Sequence, residues 1–210
     1  MALPPLPLAL LTLVGACLSL ATNDAALVTC GSLIKLQHVA TSCRLHSHDI
    51  PYGYGRGSGQ QSVTCYPDSD SGESYWRVAC EGAGKQGEAI VSGRRVRLQH
   101  GHTRKWLHSH HFISPLSGNQ EVSCFGSDTE TDTGDVWLVE WDSSKKASSW
   151  IQDLPVSLTH VDTGFALSSN GQQFQRPIHG HTEVYAAKAK KSAAKWMAAE
   201  GVYLPSSAPK

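Results

Sequence analysis

Short runs in which apolar and polar residues alternate recur along the chain, and one such run occurs three times. In each copy two aliphatic residues and a histidine fall on the same face of the run. The residues on these faces are Ile34, Leu36 and His38, then Val96, Leu98 and His100, then Val156, Leu158 and His160. Strict alternation of this kind predicts half-buried β-strands.

Each run contains the pattern Leu-x-His-x-x-Thr, and the three starts lie 62 and 60 residues apart. The anchors are Leu36, His38 and Thr41; Leu98, His100 and Thr103; and Leu158, His160 and Thr163. A glycine-led segment follows each anchor, at 59–63, 118–122 and 180–184, and a tryptophan then opens a closing strand, at Trp76, Trp137 and Trp196. Three elements in one order, three times, indicate an internal repeat of about 60 residues.

About four short strands fit each copy, because turn-forming runs such as 51–59 and 114–118 separate the alternating segments. Three copies then give about twelve strands. Propellers use more than three blades, and a closed barrel removes exposed strand edges better. We therefore predict an all-β fold, a β-trefoil, in one domain over 22–210, with repeats at approximately 27–82, 90–145 and 150–204.

The segment 186–199 is rich in alanine and lysine, which favour helix. Because Trp196 occupies the position of the other closing-strand tryptophans, we expect an exposed loop or short helical turn over 188–195. Strand structure should resume near Trp196.

The chain begins with an apolar run from Leu6 to Leu20, and small residues stand at Ser19 and Ala21. This run is too short to span a bilayer, so we interpret 1–21 as a secretory signal peptide. No later stretch could cross a membrane. Lysine plus arginine equal aspartate plus glutamate, 18 against 18. This balance does not favour nucleic acid or anionic lipid as a partner.

Five cysteines follow the signal segment, and the secretory route permits disulfides. Five is an odd number, so at least one thiol stays free or pairs with another protein. Cys30 and Cys80 flank the first copy and are the pair that we expect to bond. Cys65 and Cys124 occupy equivalent positions in two copies, and the repeat symmetry should hold them apart.

The Leu-x-His-x-x-Thr, Leu-His-Ser-His, Gly-x-Gln-x-Val and tryptophan elements resemble MIR repeats over roughly residues 28–204. MIR repeats occur in protein O-mannosyltransferases, inositol trisphosphate and ryanodine receptors, and stromal cell-derived factor 2. Since the chain reads as a signal peptide plus three such repeats, it is similar to the stromal cell-derived factor 2 family. The resemblance implies a β-trefoil.

The same resemblance implies a protein of the endoplasmic reticulum (ER) lumen. Family members work with the resident heat-shock chaperone BiP and a J-domain co-chaperone on unfolded secretory clients. The end of this chain, 199–205, resembles plant-type members, and 206–210 contains no retrieval tetrapeptide. Retention would then depend on a partner, and secretion is the alternative.

The three anchor histidines recur beside a threonine, which indicates a structural hydrogen bond in each copy. The doubled Leu-His-Ser-His segment is less simple. Alternation places the leucines inward and the histidines outward, and the third copy keeps Leu167 but no histidine. The candidate surface residues are His46 and His48, then His108 and His110, together with the adjacent His111. Structural bonding and a partner or ligand surface stay open. We expect no metal, because each copy offers too few ligands for zinc.

Other segments add no chemistry. The acidic loop 128–135 fails the spacing of a calcium loop and is read as solvated. The glycine-rich run 53–59 fits turn chemistry, and neither a nucleophile elbow nor Cys-x-x-Cys is present. We therefore expect a non-catalytic protein without a cofactor. The alternative is a module for O-mannosyl glycans, in which Tyr52 and Tyr54 would stack on sugar faces.

Overall fold

The alternating segments form twelve β-strands, four in each copy of the repeat. The computed structural model describes residues 25–53, 57–82, 84–188 and 192–207, so the signal segment 1–21 and Tyr54 lie outside the described residues. The first repeat holds β1 (Leu33–His38), β2 (Arg44–Pro51), β3 (Gln61–Tyr66) and β4 (Tyr75–Cys80). The second holds β5 (Arg94–His100), β6 (Trp106–Ile113), β7 (Gln120–Phe125) and β8 (Trp137–Glu140). The third holds β9 (Ser157–His160), β10 (Ala166–Gln173), β11 (Thr182–Ala187) and β12 (Trp196–Val202).

First and fourth strands of the repeats alternate around the barrel. β1 pairs with β4 and β12, β5 with β4 and β8, and β9 with β8, all antiparallel. An isolated antiparallel bridge between Val156, the residue before β9, and Trp196 of β12 closes the ring of strands. The second and third strands form the hairpins β2–β3, β6–β7 and β10–β11, whose third strands pair with one another. A barrel with three hairpins at one end is the β-trefoil that the repeat predicted. No helix in the described parts of the chain is long and apolar enough to span a bilayer.

A buried tryptophan is the first or second residue of the fourth strand of each repeat, and β12 begins at Trp196 as predicted. The indole Nε1 of Trp76 donates a hydrogen bond to the carbonyl of Leu45 at 2.9 Å. The same bond, at the same length, joins Trp137 to Leu107 and Trp196 to Leu167. Each tryptophan therefore ties the barrel to the hairpin of its own repeat.

The anchor histidines link neighbouring repeats. In the second repeat, His100 Nδ1 contacts the Thr103 hydroxyl at 2.9 Å, and Nε2 contacts the Glu73 carbonyl of the first repeat at 2.9 Å. Because a carbonyl only accepts, Nε2 carries the proton and Nδ1 is free to accept from the threonine. His38 and His160 make the same pair of contacts, with their nearest carbonyls at Ala193 and Gly134. The structural bond inferred from the sequence is present, and it also joins the repeats.

Two disulfides close loops of the first repeat. Cys30 bonds to Cys80, the pair that the sequence favoured, with a Cα–Cα distance of 5.5 Å. Cys43 bonds to Cys65 across the β2–β3 hairpin. The one free thiol among the described cysteines is the buried Cys124, whose pKa is raised to about 12 by burial. At that pKa the group is a thiol and not a reactive thiolate at neutral pH.

Candidate functional site

The histidine-bearing segments of the first two repeats lie in β2 and β6, on the outer face of their hairpins. Leu45 and Leu107 are fully buried, as the alternation predicted. The prediction that the histidines face solvent is wrong for His46 and His108, which are only 2% and 5% exposed. Alternation assigns the residues of a strand to its two faces, but it does not show which chain segments pack over each face.

Short 3₁₀ turns cover these two histidines. The turn Gly72–Ser74 places Ser74 Oγ 3.1 Å from His46 Nδ1. The equivalent turn Thr133–Asp135 places Asp135 Oδ1 3.0 Å from His108 Nδ1. Both turns immediately precede the fourth strand of their repeat, so each covering segment is part of the repeat itself.

In the second repeat the histidines are held by carboxylates. The carboxylate of the fully buried Asp135 also accepts from Thr131 Oγ1 and the backbone N–H of Asp132. His110 donates from Nε2 to Glu121 Oε1 at 3.0 Å, and Glu121 is fully buried too. The acidic loop is therefore not solvated throughout, because Asp135 is part of the hairpin packing.

The exposed part of this hairpin is its far end. His111, Phe112 and Ile113 all face solvent, and the two apolar side chains are 54% and 68% exposed. His111 accepts from Gln120 Nε2 at 3.1 Å. Of the predicted surface histidines, His111 is the one in the exposed class, and it lies beside two exposed apolar residues.

The predicted sugar-stacking role of Tyr52 is wrong. Tyr52 is 3% exposed, and its hydroxyl donates at 2.8 Å to the carbonyl of Val63 and contacts the carbonyl of Val122 at 3.0 Å. The ring packs with Phe174, Ile178 and Leu116. The loop after β2 therefore turns inward, because it supplies an apolar ring to the packing between the three hairpins.

In the first repeat three histidines come together. His181, which directly precedes β11 in the third hairpin, packs against His46 and His48, with ring centroids 5.0 Å and 5.3 Å away. The centroids of His46 and His48 are 5.6 Å apart. Tyr66 stacks on His181 at 4.2 Å, and Thr64 Oγ1 contacts His181 Nδ1 at 2.9 Å. We call His46, His48 and His181 the histidine triad.

Burial keeps the triad uncharged at neutral pH. Burial first, and the charges of neighbouring histidines second, lower the pKa of His46 to about 3 and that of His181 to about 4. The pKa of His48 is lowered as well, again chiefly by burial. Neutral imidazoles can accept a hydrogen bond or bind a metal through one nitrogen.

His181 is the site residue that sequence reasoning missed. It belongs to the third repeat, 133 positions after His48, and the pattern at 180–184 identified a glycine-led turn without assigning its histidine. The available signal was the pairing of third strands in a trefoil, which places β11 beside β3 and its hairpin.

Comparisons with known proteins agree with this architecture. The MIR domain model matches residues 52–197. A stromal cell-derived factor 2-like protein of Arabidopsis thaliana is 52% identical over 180 residues, which cover 85% of this chain and 81% of the relative. The crystal structure of the SDF2-like protein from the same organism superposes with a TM-score of 0.83 at 50% identity, over 87% of this chain and 99% of that one.

A more distant solved structure matches this chain over part of a larger protein. The S. cerevisiae protein O-mannosyltransferase Pmt1-Pmt2 complex bound to the sugar donor matches with a TM-score of 0.78 at 31% identity. The match covers 87% of this chain but 27% of that chain. Taken with the three-repeat barrel and the match across most of the Arabidopsis relative, these findings establish that the chain belongs to the MIR-domain family of stromal cell-derived factor 2-like proteins.

Proposed function

We propose that this protein is a non-catalytic subunit of a chaperone complex in the ER lumen. Its partners are the heat-shock chaperone BiP and a J-domain co-chaperone, and the complex acts on unfolded secretory clients. The observation that carries the proposal is the family membership, which extends over most of this chain and most of the relative. The interpretation of 1–21 as a signal peptide supports the compartment.

The trefoil supplies a rigid platform in this proposal, and exposed loops supply the contacts. His46 and His108 are too buried to touch a partner. The accessible candidate is the end of the second hairpin, where His111 lies beside Phe112 and Ile113. Adjacent exposed apolar residues form an apolar patch, and such patches, especially those with an aromatic residue, mark protein interaction surfaces.

Immunopurification from ER lumen tests the partners. We expect BiP and a J-domain protein to co-purify near stoichiometry, and absence of both would contradict the proposal. The combined change H111A/F112S/I113S should lower recovery of the J-domain protein at least tenfold. V91S is the matched control, because Val91 is also an exposed apolar residue, 52% exposed, but lies in the loop before β5. Equal loss in both variants would exclude the hairpin end as the contact.

Glycan recognition is the second candidate, and the mannosyltransferase neighbour favours it. The burial of Tyr52 removes one aromatic residue that this function would use. A glycan array and titration with an O-mannosyl peptide test the candidate. Binding at millimolar concentration or better would support it, and no binding would remove it.

The proposed compartment has its own test. Antibody detection should find the protein in the ER fraction, at the same density as BiP. Detection mainly in the culture medium would favour secretion instead. Depletion of the J-domain partner should release the protein, if that partner retains it.

A further inference from the structure

We propose that the histidine triad is a zinc site that joins the first repeat to the third. His46 and His48 come from β2, and His181 precedes β11. Three imidazoles with a fourth position for water or a carboxylate form a recognised zinc coordination set. The proposal does not depend on the chaperone role.

The spacing of the rings suits tetrahedral coordination. With Zn–N distances of about 2.0–2.1 Å, a ring centroid lies about 3.2 Å from the ion, so two tetrahedral ligands have centroids about 5.2 Å apart. The three observed separations are 5.0, 5.3 and 5.6 Å. One nitrogen from each ring lies within 4.8 Å of the other two. Closing these nitrogens onto an ion requires movements of about 1 Å.

Hydrogen bonds orient two of the rings and leave a nitrogen available on each. His46 Nδ1 contacts Ser74 Oγ, and His181 Nδ1 contacts Thr64 Oγ1. Such contacts on the second nitrogen are the usual support of zinc-bound histidines. The Nε2 atoms of both rings make no hydrogen bond to any described residue.

The third ring of the triad, His48, gives independent evidence for a bound ion. Both ring nitrogens of His48 are buried and have no hydrogen-bond partner among the other described residues. Buried polar atoms are almost always partnered, and an exception calls for a group that takes the interaction. A zinc ion bound to one nitrogen would satisfy the lone pair of His48.

The fourth position has a nearby carboxylate. Glu73 Oε2 lies 3.7 Å from His46 Nε2, and its side chain is 46% exposed. This partial exposure lets the carboxylate reorient toward a bound ion or leave that position to water. Glu73 also adds a negative charge beside three neutral ligands, which favours a dication.

The second repeat explains why only one triad forms. There, Gln60 stands at the position of His181, and its Oε1 accepts from the Ser123 hydroxyl at 2.5 Å. His108 and His110 are already paired with Asp135 and Glu121. The same hairpin geometry therefore produces a closed hydrogen-bond network in one repeat and free imidazole nitrogens in the other.

Untagged protein, treated with EDTA and desalted, should bind one Zn²⁺ per chain in isothermal titration at pH 7.5. Zinc at a hundredfold excess over the dissociation constant should raise Tm by about 5–10 °C. Co²⁺ should give the intense visible absorption of tetrahedral coordination.

The variant H48A tests the assignment, because neither nitrogen of His48 bonds to another described residue, so the substitution leaves no neighbouring group without its partner. We expect at least a hundredfold weaker zinc binding, no Tm shift and no tetrahedral Co²⁺ spectrum. H181A should behave alike. H179A is the matched control, because His179 is an exposed histidine two residues away, and it should bind as wild type does.

Two outcomes would overturn the proposal. One is wild-type protein that shows neither stoichiometric zinc binding nor a Tm shift, which would make the triad a packing cluster of rings. The other is equal zinc binding by wild type, H48A and H181A. Thermal unfolding in EDTA shows whether each variant is folded, so a loss of binding is assigned to the ligand and not to the fold.

Discussion

Replacing His100 with alanine should lower the free energy of unfolding far more than replacing the nearby His102. His100 is fully buried in the barrel, where its ring packs on Trp76 with centroids 5.0 Å apart. It contacts Thr103 Oγ1 within its own repeat and the carbonyl of Glu73 in the preceding repeat. The substitution therefore removes one of the three anchor-histidine contacts between repeats.

The magnitude follows from these contacts. Two hydrogen bonds contribute about 1–3 kcal/mol together. The cavity left beside Trp76 adds about 1 kcal/mol. The free energy of unfolding should fall by about 2–4 kcal/mol, which lowers Tm by about 5–15 °C for a domain of this size.

Urea denaturation followed by tryptophan fluorescence measures this difference. H102A is the control, because His102 is exposed and two residues away, and it should stay within about 0.5 kcal/mol of wild type. A double-mutant cycle with Thr103→Val should give a coupling of about 1 kcal/mol. If H100A unfolds at the same urea concentration as H102A, the anchor histidines do not link the repeats and the reasoning is wrong.

Three further results are expected. The double substitution C43S/C65S should lower the free energy of unfolding by about 3 kcal/mol, because it opens a loop whose ends are 22 residues apart; urea titration with no shift would contradict this. E183A should lower the free energy of unfolding by about 3 kcal/mol in the same urea titration, because the buried Glu183 carboxylate accepts hydrogen bonds from Ser114 Oγ and from two backbone N–H groups of the loop 114–118. E130A, on the exposed acidic loop, is the control and should leave that free energy unchanged. Burial lowers the pKa of all three anchor histidines below their usual 6.5, so the unfolded chain binds more protons in acid, and stability should be full above about pH 6.5 and fall as the pH drops below it. Equal urea midpoints at pH 7.5 and 5.0 would refute the last expectation.

The strands and their three-fold arrangement could be predicted because the alternation that specifies them lies within short stretches of sequence and recurs in each repeat. Leu98, His100 and Trp137 recur in all copies, and a period of two places them on the buried face. The Leu-x-His-x-x-Thr spacing even indicated the bond between His100 and Thr103. The carbonyl of Glu73, which completes that link, was beyond prediction, since it comes from another repeat.

The functional site was less predictable, because its contacts also come from segments that are distant in the sequence. Burial of His46 depends on a 3₁₀ turn about 28 residues later and on His181 from the third repeat. Tyr52 lies in a loop whose glycines suggest exposure, yet its hydroxyl satisfies backbone carbonyls between hairpins. Alternation within one strand contains no information about which distant segment covers its outer face.

Direct binding between the purified protein and the luminal J-domain co-chaperone tests the central claim most directly. Sedimentation velocity should detect a one-to-one complex for wild type and V91S, and H111A/F112S/I113S should sediment as separate components. BiP with ATP should join the wild-type complex. A wild-type protein that sediments alone at micromolar concentrations, with or without BiP, would contradict the account.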